Sequence, residues 1–374
     1  MRDVVVVGAG KIGATIADLL GGSGDYRVVV ADRSDVQLAG IRKSTTVSTQ
    51  TIDIADAAAL NRLLAGRFAV LSAAPYDLTT LIAEAAAPLG VHYLDLTEDV
   101  ASTKRVKELA VEAKAALIPQ CGLAPGFISI VAADLARDFD TLDSLKLRVG
   151  ALPQYPSNAL GYNLTWSTDG IINEYCEPCE AIANGEHVLV PALEEREEFS
   201  LDGVTYEAFN TSGGLGTLCE TLAGKVRTLN YRTIRYPGHC ALMKVLLQDL
   251  RLADRRDVLK DIFENALPST LQDVVIVFVT VSGRKGGRLV QETYAHKIYS
   301  GLVDGVTRSA IQITTAAGIC TVLDLLADGT LPQSGFVRQE DITLQAFLAN
   351  RFGKVYARAQ DHGDMPASGT SRAA

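Results

Sequence analysis

Long apolar runs are absent from this sequence of 374 residues. No stretch approaches the roughly 18–20 uninterrupted apolar residues that a membrane helix needs. The first apolar run, residues 4–7, is too short for a secretory signal. Basic residues are also scarce, because 35 lysines and arginines against 44 aspartates and glutamates give a net charge of −9. Nucleic-acid binding needs a basic stripe that displaces counterions. We therefore expect a cytoplasmic protein that binds neither membrane nor nucleic acid.

Cysteine and tryptophan are also rare, with six cysteines and one tryptophan in the chain. Six scattered thiols do not suggest the disulfide framework typical of small secreted domains. Cys176 and Cys179 have the spacing of metal ligands and His187 follows them, but a structural zinc site usually needs four ligands. We therefore predict two ordinary cysteines near a loop and no metal. Trp166 is a candidate for the substrate pocket, although a lone tryptophan is more often part of the core.

The first 120 residues alternate strand and helix patterns. Short apolar runs typical of buried parallel strands alternate with segments in which apolar residues recur at helical spacing. This alternation implies right-handed crossovers and a parallel sheet. The predicted strands are residues 4–7, 27–31, 51–54, 68–73, 93–96 and 116–119, and the predicted helices are residues 12–20, 57–64, 78–87 and 104–115.

After about residue 125 the pattern changes to strands joined by turns. We expect an α+β region here, with antiparallel strands at residues 145–149, 197–201, 227–233, 274–282 and 290–298. The glycines and charges of residues 283–287 predict a hairpin loop between the last two strands. Residues 309–327 predict a long apolar helix that returns to the first domain. The aperiodic residues 359–374 predict a disordered tail.

Residues 8–13 carry the sequence GAGKIG, which directly follows the first predicted strand and opens the first predicted helix. In this context Gly8 makes a tight turn, Gly10 lets the backbone approach phosphates, and Gly13 lets the helix pack on the sheet. The helix N-terminus offers free N–H groups and the positive end of its dipole to an anion. The motif therefore predicts that a dinucleotide pyrophosphate binds here.

Asp32 ends the second predicted strand, 19 residues beyond Gly13. Its carboxylate can accept hydrogen bonds from the adenosine ribose and repel a 2′-phosphate, which favours NAD over NADP. The next residue, Arg33, can instead pair with that phosphate, so NADP stays possible. Asp53 can reach the adenine amino group or be an ordinary exposed aspartate. The predicted cofactor-binding residues are Gly8, Gly10, Lys11, Ile12, Gly13, Asp32, Arg33, Asp53, Ala74 and Pro75.

Further segments make the chain resemble the saccharopine dehydrogenase superfamily from residue 1 to about residue 350. These segments are PY at residues 75–76, YLDL at 93–96, GLAPG at 122–126, TSGG at 211–214 and RTIRYPGH at 232–239. The last two are the most specific, because a general Rossmann enzyme has no reason to carry them. Within the superfamily the chain is most similar to the lysine 6-dehydrogenases.

The resemblance implies an α/β fold with a Rossmann doubly wound parallel sheet and an inserted α+β catalytic domain. Residues 1–124 plus about 310–355 form the dinucleotide-binding domain, and residues 125–309 serve catalysis and oligomerisation. It also implies a homodimer or homotetramer that deaminates the ε-amine of L-lysine with NAD. A saccharopine- or opine-type dehydrogenase, acting on a secondary amine, is one alternative. A cofactor-binding protein without catalysis is another.

Ligands of doubly wound sheets bind beyond the carboxyl ends of the strands. This rule places Pro75, Tyr76 and Asp95 at the site, with Glu98 as a further candidate. The substrate amine must lose a proton before hydride leaves, and a carboxylate, histidine or tyrosine can accept that proton. Asp95 is the first candidate to hold the substrate cation, and a strand-end aspartate capping a helix is its alternative. The predicted catalytic residues are Asp95, His239 and Tyr76.

The other candidates lie in the second region. His239 follows a Pro-Gly turn and can titrate near neutral pH, or it is simply exposed there. Arg235 can hold a substrate carboxylate through its guanidinium fork, and Arg308 is its rival; a surface ion pair is the alternative for both. The glycine run after Ser212 presents N–H groups to a carboxylate or is only a flexible turn. The predicted substrate-binding residues are Arg235, Arg308, Ser212 and Gly213.

Overall fold

A parallel sheet flanked by helices forms the first part of the fold. The computed structural model describes residues 1–357, so the tail predicted at residues 359–374 lies outside the described residues. The strands are β1 (Arg2–Val7), β2 (Tyr26–Asp32), β3 (Val47–Thr51), β4 (Ala69–Ser72), β5 (His92–Asp95) and β6 (Ala116–Ile118). The helices are α1 (Lys11–Ser23), α2 (Asp35–Ala39), α3 (Ala57–Leu64), α4 (Tyr76–Leu89) and α5 (Val100–Ala110). The strand order β3-β2-β1-β4-β5-β6 confirms the predicted doubly wound Rossmann sheet.

The third strand lies earlier in the chain than the sequence pattern indicated. It covers Val47–Thr51, whereas the prediction placed a strand at residues 51–54. Because β3 is an edge strand and buries only Val47, it carries almost no apolar signal. Ile52 is buried just after the strand ends, and this apolar residue misplaced the prediction.

A mixed sheet forms the second part of the fold. Its elements are α6 (Phe127–Ala136), β7 (Thr141–Pro153), α7 (Thr168–Cys176), β8 (Cys179–Ala183), β9 (Glu186–Val190), β10 (Glu197–Leu201), β11 (Val204–Asn210), α8 (Leu218–Leu222), β12 (Val226–Arg235), α9 (His239–Lys244), α10 (Arg256–Ala266), β13 (Asp273–Lys285) and β14 (Arg288–Tyr299). The strands pair in the order β10-β11-β12-β7-β13-β14, and β8 joins β9 to β12. The expectation of antiparallel pairing is wrong for β7 and β12, which run parallel because the chain between them crosses back before β12 begins.

The predicted hairpin between the last two long strands is confirmed. β13 and β14 pair antiparallel along their whole length, from Val274–Tyr299 to Lys285–Arg288. Gly286 and Gly287 make the turn with φ values of +57° and +76°. A two-residue hairpin loop of this hand needs positive φ at both positions, which glycine adopts without strain.

The end of the described chain returns to the first sheet. It contains β15 (Gly301–Val303), β16 (Val306–Arg308), α11 (Ala310–Ala327), β17 (Gly335–Phe336) and α12 (Leu344–Ala349). β17 pairs parallel with β6 as a seventh strand, and α11 packs between α1 and β13. With a mean hydropathy of 1.6, α11 is long and apolar enough to span a membrane, but 78% of it is buried inside this fold. It therefore joins the cores of the two sheets.

Candidate active site

The glycine turn after β1 leaves room for a phosphate group. Gly8 has a φ of +106°, and a Cβ there would lie 2.5 Å from the carbonyl oxygen of Ala73. A Cβ on Gly13 would lie 1.9 Å from the carbonyl oxygen of Gly8. Gly10 caps α1 and faces open space, and no side chain among residues 1–357 caps this end of the helix with a hydrogen bond. This free helix N-terminus fits the pyrophosphate of a dinucleotide.

Asp32 at the end of β2 supports the glycine turn. Its carboxylate accepts hydrogen bonds from the N–H groups of Ala9 (2.7 Å) and Ser34 (2.8 Å). The side chain also lines the cavity described below. A carboxylate held in this way has oxygen lone pairs left for the hydroxyl groups of a ribose.

A cavity of about 810 Å³ lies beyond the carboxyl ends of β1, β4 and β5. Most of the predicted cofactor-binding residues line it, namely Gly8, Gly10, Lys11, Ile12, Gly13, Asp32, Ala74 and Pro75. Arg33 and Asp53 do not line it, and both are exposed to solvent. The Asp53 carboxylate accepts a hydrogen bond from Ala55 N (3.0 Å) in its own turn. Arg33 and Asp53 are therefore not part of the cavity wall, and their cofactor contacts stay predictions.

The second domain, the loop after β5 and the start of α4 supply further parts of the cavity wall. Tyr76, which begins α4, lines it, and Arg235 reaches it from the end of β12. The indole of Trp166 is also part of the wall. Two carboxylates, Glu98 and Glu174, are among the polar groups on this side, together with Asp77 and Asp169.

Asp95 does not reach the cavity. It is fully buried, and its Oδ1 accepts hydrogen bonds from Gln120 N (2.8 Å) and Thr97 N (3.0 Å). Its Oδ2 accepts a hydrogen bond from the Tyr93 hydroxyl (2.7 Å). Burial raises the pKa of Asp95 to about 6, although these hydrogen bonds oppose the rise. The prediction that Asp95 holds the substrate is therefore wrong. Its carboxylate is occupied by hydrogen bonds from Tyr93, Thr97 and Gln120, which connect β5 to the residues after β5 and β6.

Asp95→Ala is expected to lower the free energy of unfolding by about 3 kcal/mol, because it leaves buried donors without an acceptor. Urea titration at pH 7 measures this change. Asp53→Ala is the matched control, since Asp53 is exposed and, among residues 1–357, its carboxylate accepts a single hydrogen bond; its effect is expected to stay below about 1 kcal/mol. Equal stability of the two variants, with turnover lost only in Asp95→Ala, would assign Asp95 to catalysis instead.

Glu98 and Glu174 occupy the position in the cavity that was expected for Asp95. Burial raises the pKa of Glu98 to about 7, and the charges of Asp99 and Asp95 add to this rise. Burial and the charge of Glu98 raise the pKa of Glu174 to about 8, against the opposing effect of Arg235. Each of these two carboxyl groups can therefore gain or lose a proton near neutral pH. Glu98 was a candidate from the sequence because it follows β5. No sequence motif identified Glu174, which lies on α7, as a site residue.

The glycine segment at residues 211–214 packs behind these two carboxylates. Ser212 is buried, and its N–H donates to the carbonyl oxygen of Glu174 (3.0 Å). Gly213 has a φ of +83°, and a Cβ there would lie 2.6 Å from the carbonyl oxygen of Glu98. Neither residue lines the cavity. The predicted substrate contacts of Ser212 and Gly213 are wrong, because this segment supports the backbone of the residues that do face the cavity.

Arg235 lines the cavity although it is only 3% exposed. Its Nε donates to the Tyr175 hydroxyl (2.9 Å), and its Nη1 donates to the carbonyl oxygen of Ile234 (2.8 Å). The pKa of Arg235 is raised, because Tyr175, Tyr162 and Glu174 together outweigh the effect of burial. Within residues 1–357, no hydrogen bond uses Nη2, so this nitrogen can bind an anion in the cavity.

His239 and Arg308 lie outside the cavity. His239 begins α9, is buried, and places Nε2 3.0 Å from the Tyr175 hydroxyl. Burial, with the charge of Arg235, lowers the pKa of His239 to about 3, so the ring does not titrate near neutral pH. Arg308 forms an ion pair with Asp18 on α1. The predicted direct roles of His239 and Arg308 at the substrate are therefore wrong.

Cys176 and Cys179 are free thiols at the junction of α7 and β8. Burial raises the pKa of both thiols. His187 lies 3.3 Å from a carboxylate oxygen of Glu180, on the hairpin that follows. Within residues 1–357, no three histidine, cysteine, aspartate or glutamate side chains come together as a metal site.

Comparison with known proteins agrees with this architecture. The saccharopine dehydrogenase (NADP(+), L-glutamate-forming) of Saccharomyces cerevisiae is 24% identical over 177 residues, which cover 46% of this chain and 40% of that protein. The mitochondrial alpha-aminoadipic semialdehyde synthase of Rattus norvegicus is 23% identical over 196 residues, which cover 50% of this chain and 21% of that protein. The matches thus span less than half the length of these relatives.

Solved structures share the fold. The apo saccharopine dehydrogenase (L-Glu forming) from Saccharomyces cerevisiae has a TM-score of 0.75 at 17% identity and covers 91% of this chain and 94% of its own. A homospermidine synthase from Legionella pneumophila, solved with NAD, has a TM-score of 0.61 at 13% identity and covers 95% and 89%.

Two family models match nearly all of the described chain. Residues 4–118 match the saccharopine dehydrogenase NADP binding domain. Residues 122–355 match the saccharopine dehydrogenase C-terminal domain. The chain therefore belongs to the saccharopine dehydrogenase family.

Proposed function

We propose that this protein oxidises the ε-amine of L-lysine with NAD, the activity of a lysine 6-dehydrogenase. The observation that carries the proposal is the presence of Arg235, Glu98 and Glu174 in the wall of the cavity that the glycine turn opens into. An amino acid with a second amine has groups complementary to all three side chains. Its carboxylate matches the guanidinium, and its two ammonium groups match the two glutamates.

The charge of the cavity wall supports a substrate with a single carboxylate. The basic side chains in the wall are Lys11, which belongs to the glycine turn, and Arg235. The acidic ones are Asp32, Asp77, Glu98, Asp169 and Glu174. Saccharopine carries more carboxylates than lysine, and every buried carboxylate needs a cation or hydrogen-bond donors. Lysine, with one carboxylate, therefore fits a wall with more acidic than basic side chains better than saccharopine does.

The positions of the polar groups suggest how lysine is oriented. Arg235 and Glu174 belong to the second domain, so we assign them to the α-carboxylate and the α-ammonium group. Glu98 follows β5, beyond the strand ends where the nicotinamide of a doubly wound sheet lies. We assign it to the ε-amine. The bound nicotinamide supplies the chemistry of hydride acceptance.

Glu98 is assigned as the general base. A primary ammonium group must lose a proton before hydride can leave the adjacent carbon. With a pKa of about 7, the Glu98 carboxylate is a stronger base than an ordinary glutamate, and about half of it is ionised at neutral pH. Burial raises the pKa of Tyr76, which lines the same cavity, so its hydroxyl stays protonated and can orient the amine or a water molecule.

The names of the relatives favour a second candidate, a dehydrogenase that acts on the secondary amine of saccharopine. Steady-state assays with NAD and either L-lysine or saccharopine separate the two. The first proposal expects NADH from L-lysine with no second organic substrate, and an equal amount of ammonia once water hydrolyses the imine to the aldehyde. Turnover of saccharopine without ammonia release would establish the second candidate. Absence of turnover with either compound, and with NADP as well, would exclude both.

The preference for NAD rests on the charge of Asp32. We expect Asp32→Asn to lower the ratio of the Kd for NADPH to the Kd for NADH by about tenfold, because the 2′-phosphate no longer meets a carboxylate. Asparagine keeps one oxygen that can accept the hydrogen bond from Ala9 N and loses only the bond from Ser34 N, so the contact with the glycine turn is retained. Fluorescence titration of both reduced cofactors measures the ratio. Asp53→Asn, at an exposed residue outside the cavity, serves as control. Tighter binding of NADPH than NADH by the wild-type protein would refute the preference.

A further inference from the structure

A chain of hydrogen bonds links Arg235 through Tyr175 and His239 to the backbone, and each bond has a defined donor and acceptor. The Nδ1 of His239 lies 2.8 Å from the carbonyl oxygen of Leu160, and a carbonyl can only accept, so Nδ1 carries the proton. In a neutral ring Nε2 then accepts, and the hydroxyl of Tyr175, 3.0 Å away, donates to it. The Tyr175 oxygen is left to accept from Nε of Arg235 at 2.9 Å. Each group in the chain therefore has one defined role.

Packing holds this chain in place. His239 is 2% exposed, and its ring stacks on Phe209 with centroids 6.2 Å apart and 12° between the planes. The rings of Tyr162 and Tyr175 meet the same ring edge to face, with centroids 5.6 and 5.8 Å away. Neither Tyr175 nor His239 lines the cavity. Both residues therefore act on the cavity only through Arg235.

We propose that Tyr175 and His239 are positioning residues that aim the guanidinium of Arg235 at the carboxylate of the substrate. This inference rests on the proposed function. Nε and Nη1 of Arg235 are engaged by the protein, and within residues 1–357 no hydrogen bond uses Nη2, which leaves it available to a substrate carboxylate. Without the Tyr175 oxygen, Nε becomes a buried donor with no acceptor, and the guanidinium turns toward another acceptor such as Glu174. The preference for a substrate with a carboxylate then falls.

The test compares L-lysine with cadaverine, the diamine that lacks the carboxylate. Tyr175→Phe and His239→Leu are expected to lower the ratio of kcat/KM for L-lysine to that for cadaverine by about tenfold or more. The change lies in KM for L-lysine, with turnover of cadaverine retained. His239→Gln is expected to restore much of the ratio, because an amide can donate to Leu160 and accept from Tyr175. Tyr206→Phe, at a buried tyrosine outside the cavity, is the control and leaves the ratio unchanged.

An unchanged ratio in Tyr175→Phe overturns the proposal, and so does an equal loss with both substrates, which indicates general disruption of the fold. If the wild-type protein turns over neither L-lysine nor cadaverine, the proposed function fails separately. Crystal structures of the wild type and Tyr175→Phe then decide the positioning role. A guanidinium of Arg235 that has turned from the cavity in the variant supports it, and an unchanged guanidinium refutes it.

Discussion

Replacing Glu98 by glutamine is expected to lower kcat/KM for L-lysine by about 10²–10⁴-fold, the range that a general base contributes. Glutamine has nearly the same shape but cannot accept a proton from the ε-ammonium group. In the wild-type protein, kcat/KM is expected to rise with pH through about 7, because the base must be ionised to act. In Glu98→Gln this rise disappears. Initial rates of NADH formation between pH 5 and pH 9 measure both effects.

Stability measurements provide the control for this variant. The pKa of Glu98 in the folded protein is raised to about 7, so folding favours the protonated carboxyl. The stability that Glu98 contributes is therefore fully present below its ordinary pKa and is lost as the pH rises through about 7. Glu98→Gln is thus expected to have at least the wild-type Tm at pH 8.

A Glu98→Gln variant with the wild-type rate and pH profile would show that Glu98 is not the general base.

Arg235→Ala is expected to raise the KM for L-lysine far more than the KM for NAD. Removing one member of a buried charge pair costs about 2–4 kcal/mol, which corresponds to roughly 30- to 700-fold in kcat/KM. The effect is large because Arg235 supplies the only guanidinium in the cavity wall among residues 1–357. Turnover of cadaverine is expected to change much less. Equal effects on lysine and NAD would show that the arginine is structural.

A second buried arginine on the same strand gives a matched control. Arg232 also lies on β12, is 9% exposed, and pairs with Glu195 at 2.9 Å and Glu197 at 3.0 Å. It does not line the cavity. Arg232→Ala is therefore expected to lower stability without raising the KM for L-lysine. Arg235→Lys is expected to fall between wild type and alanine, since a lysine keeps the charge and loses the planar fork.

The cofactor half of the site was predictable because its signal is local. Gly8, Gly10, Gly13 and Asp32 lie on one strand–turn–helix–strand unit, and each has a requirement set by its immediate neighbours. Pro75 followed from its place after β4, without any knowledge of packing. Arg33 and Asp53 could not be assigned to the cavity wall in the same way. Whether a polar side chain at a turn points into the cavity or into solvent depends on the whole surface around it.

The substrate half was less predictable, because its residues come from distant segments. Glu174 and Arg235 lie on α7 and β12, and only the folding of the second domain brings them to the same wall. Asp95 and Glu98 are three residues apart, and the sequence favoured the wrong one. The backbone N–H groups of Thr97 and Gln120 and the hydroxyl of Tyr93 claim the Asp95 carboxylate. That competition becomes visible only when β5 and β6 are side by side.

Strand and helix periodicity and the spacing of glycines act over short distances, so the doubly wound sheet and its dinucleotide turn follow from the amino-acid order alone. Tertiary structure decided which ionisable groups face the cavity and in which protonation state. Burial and neighbouring charge raise the pKa of Glu98 and Glu174 and lower that of His239. These effects arise from groups far apart in the chain, so they exist only in the folded protein.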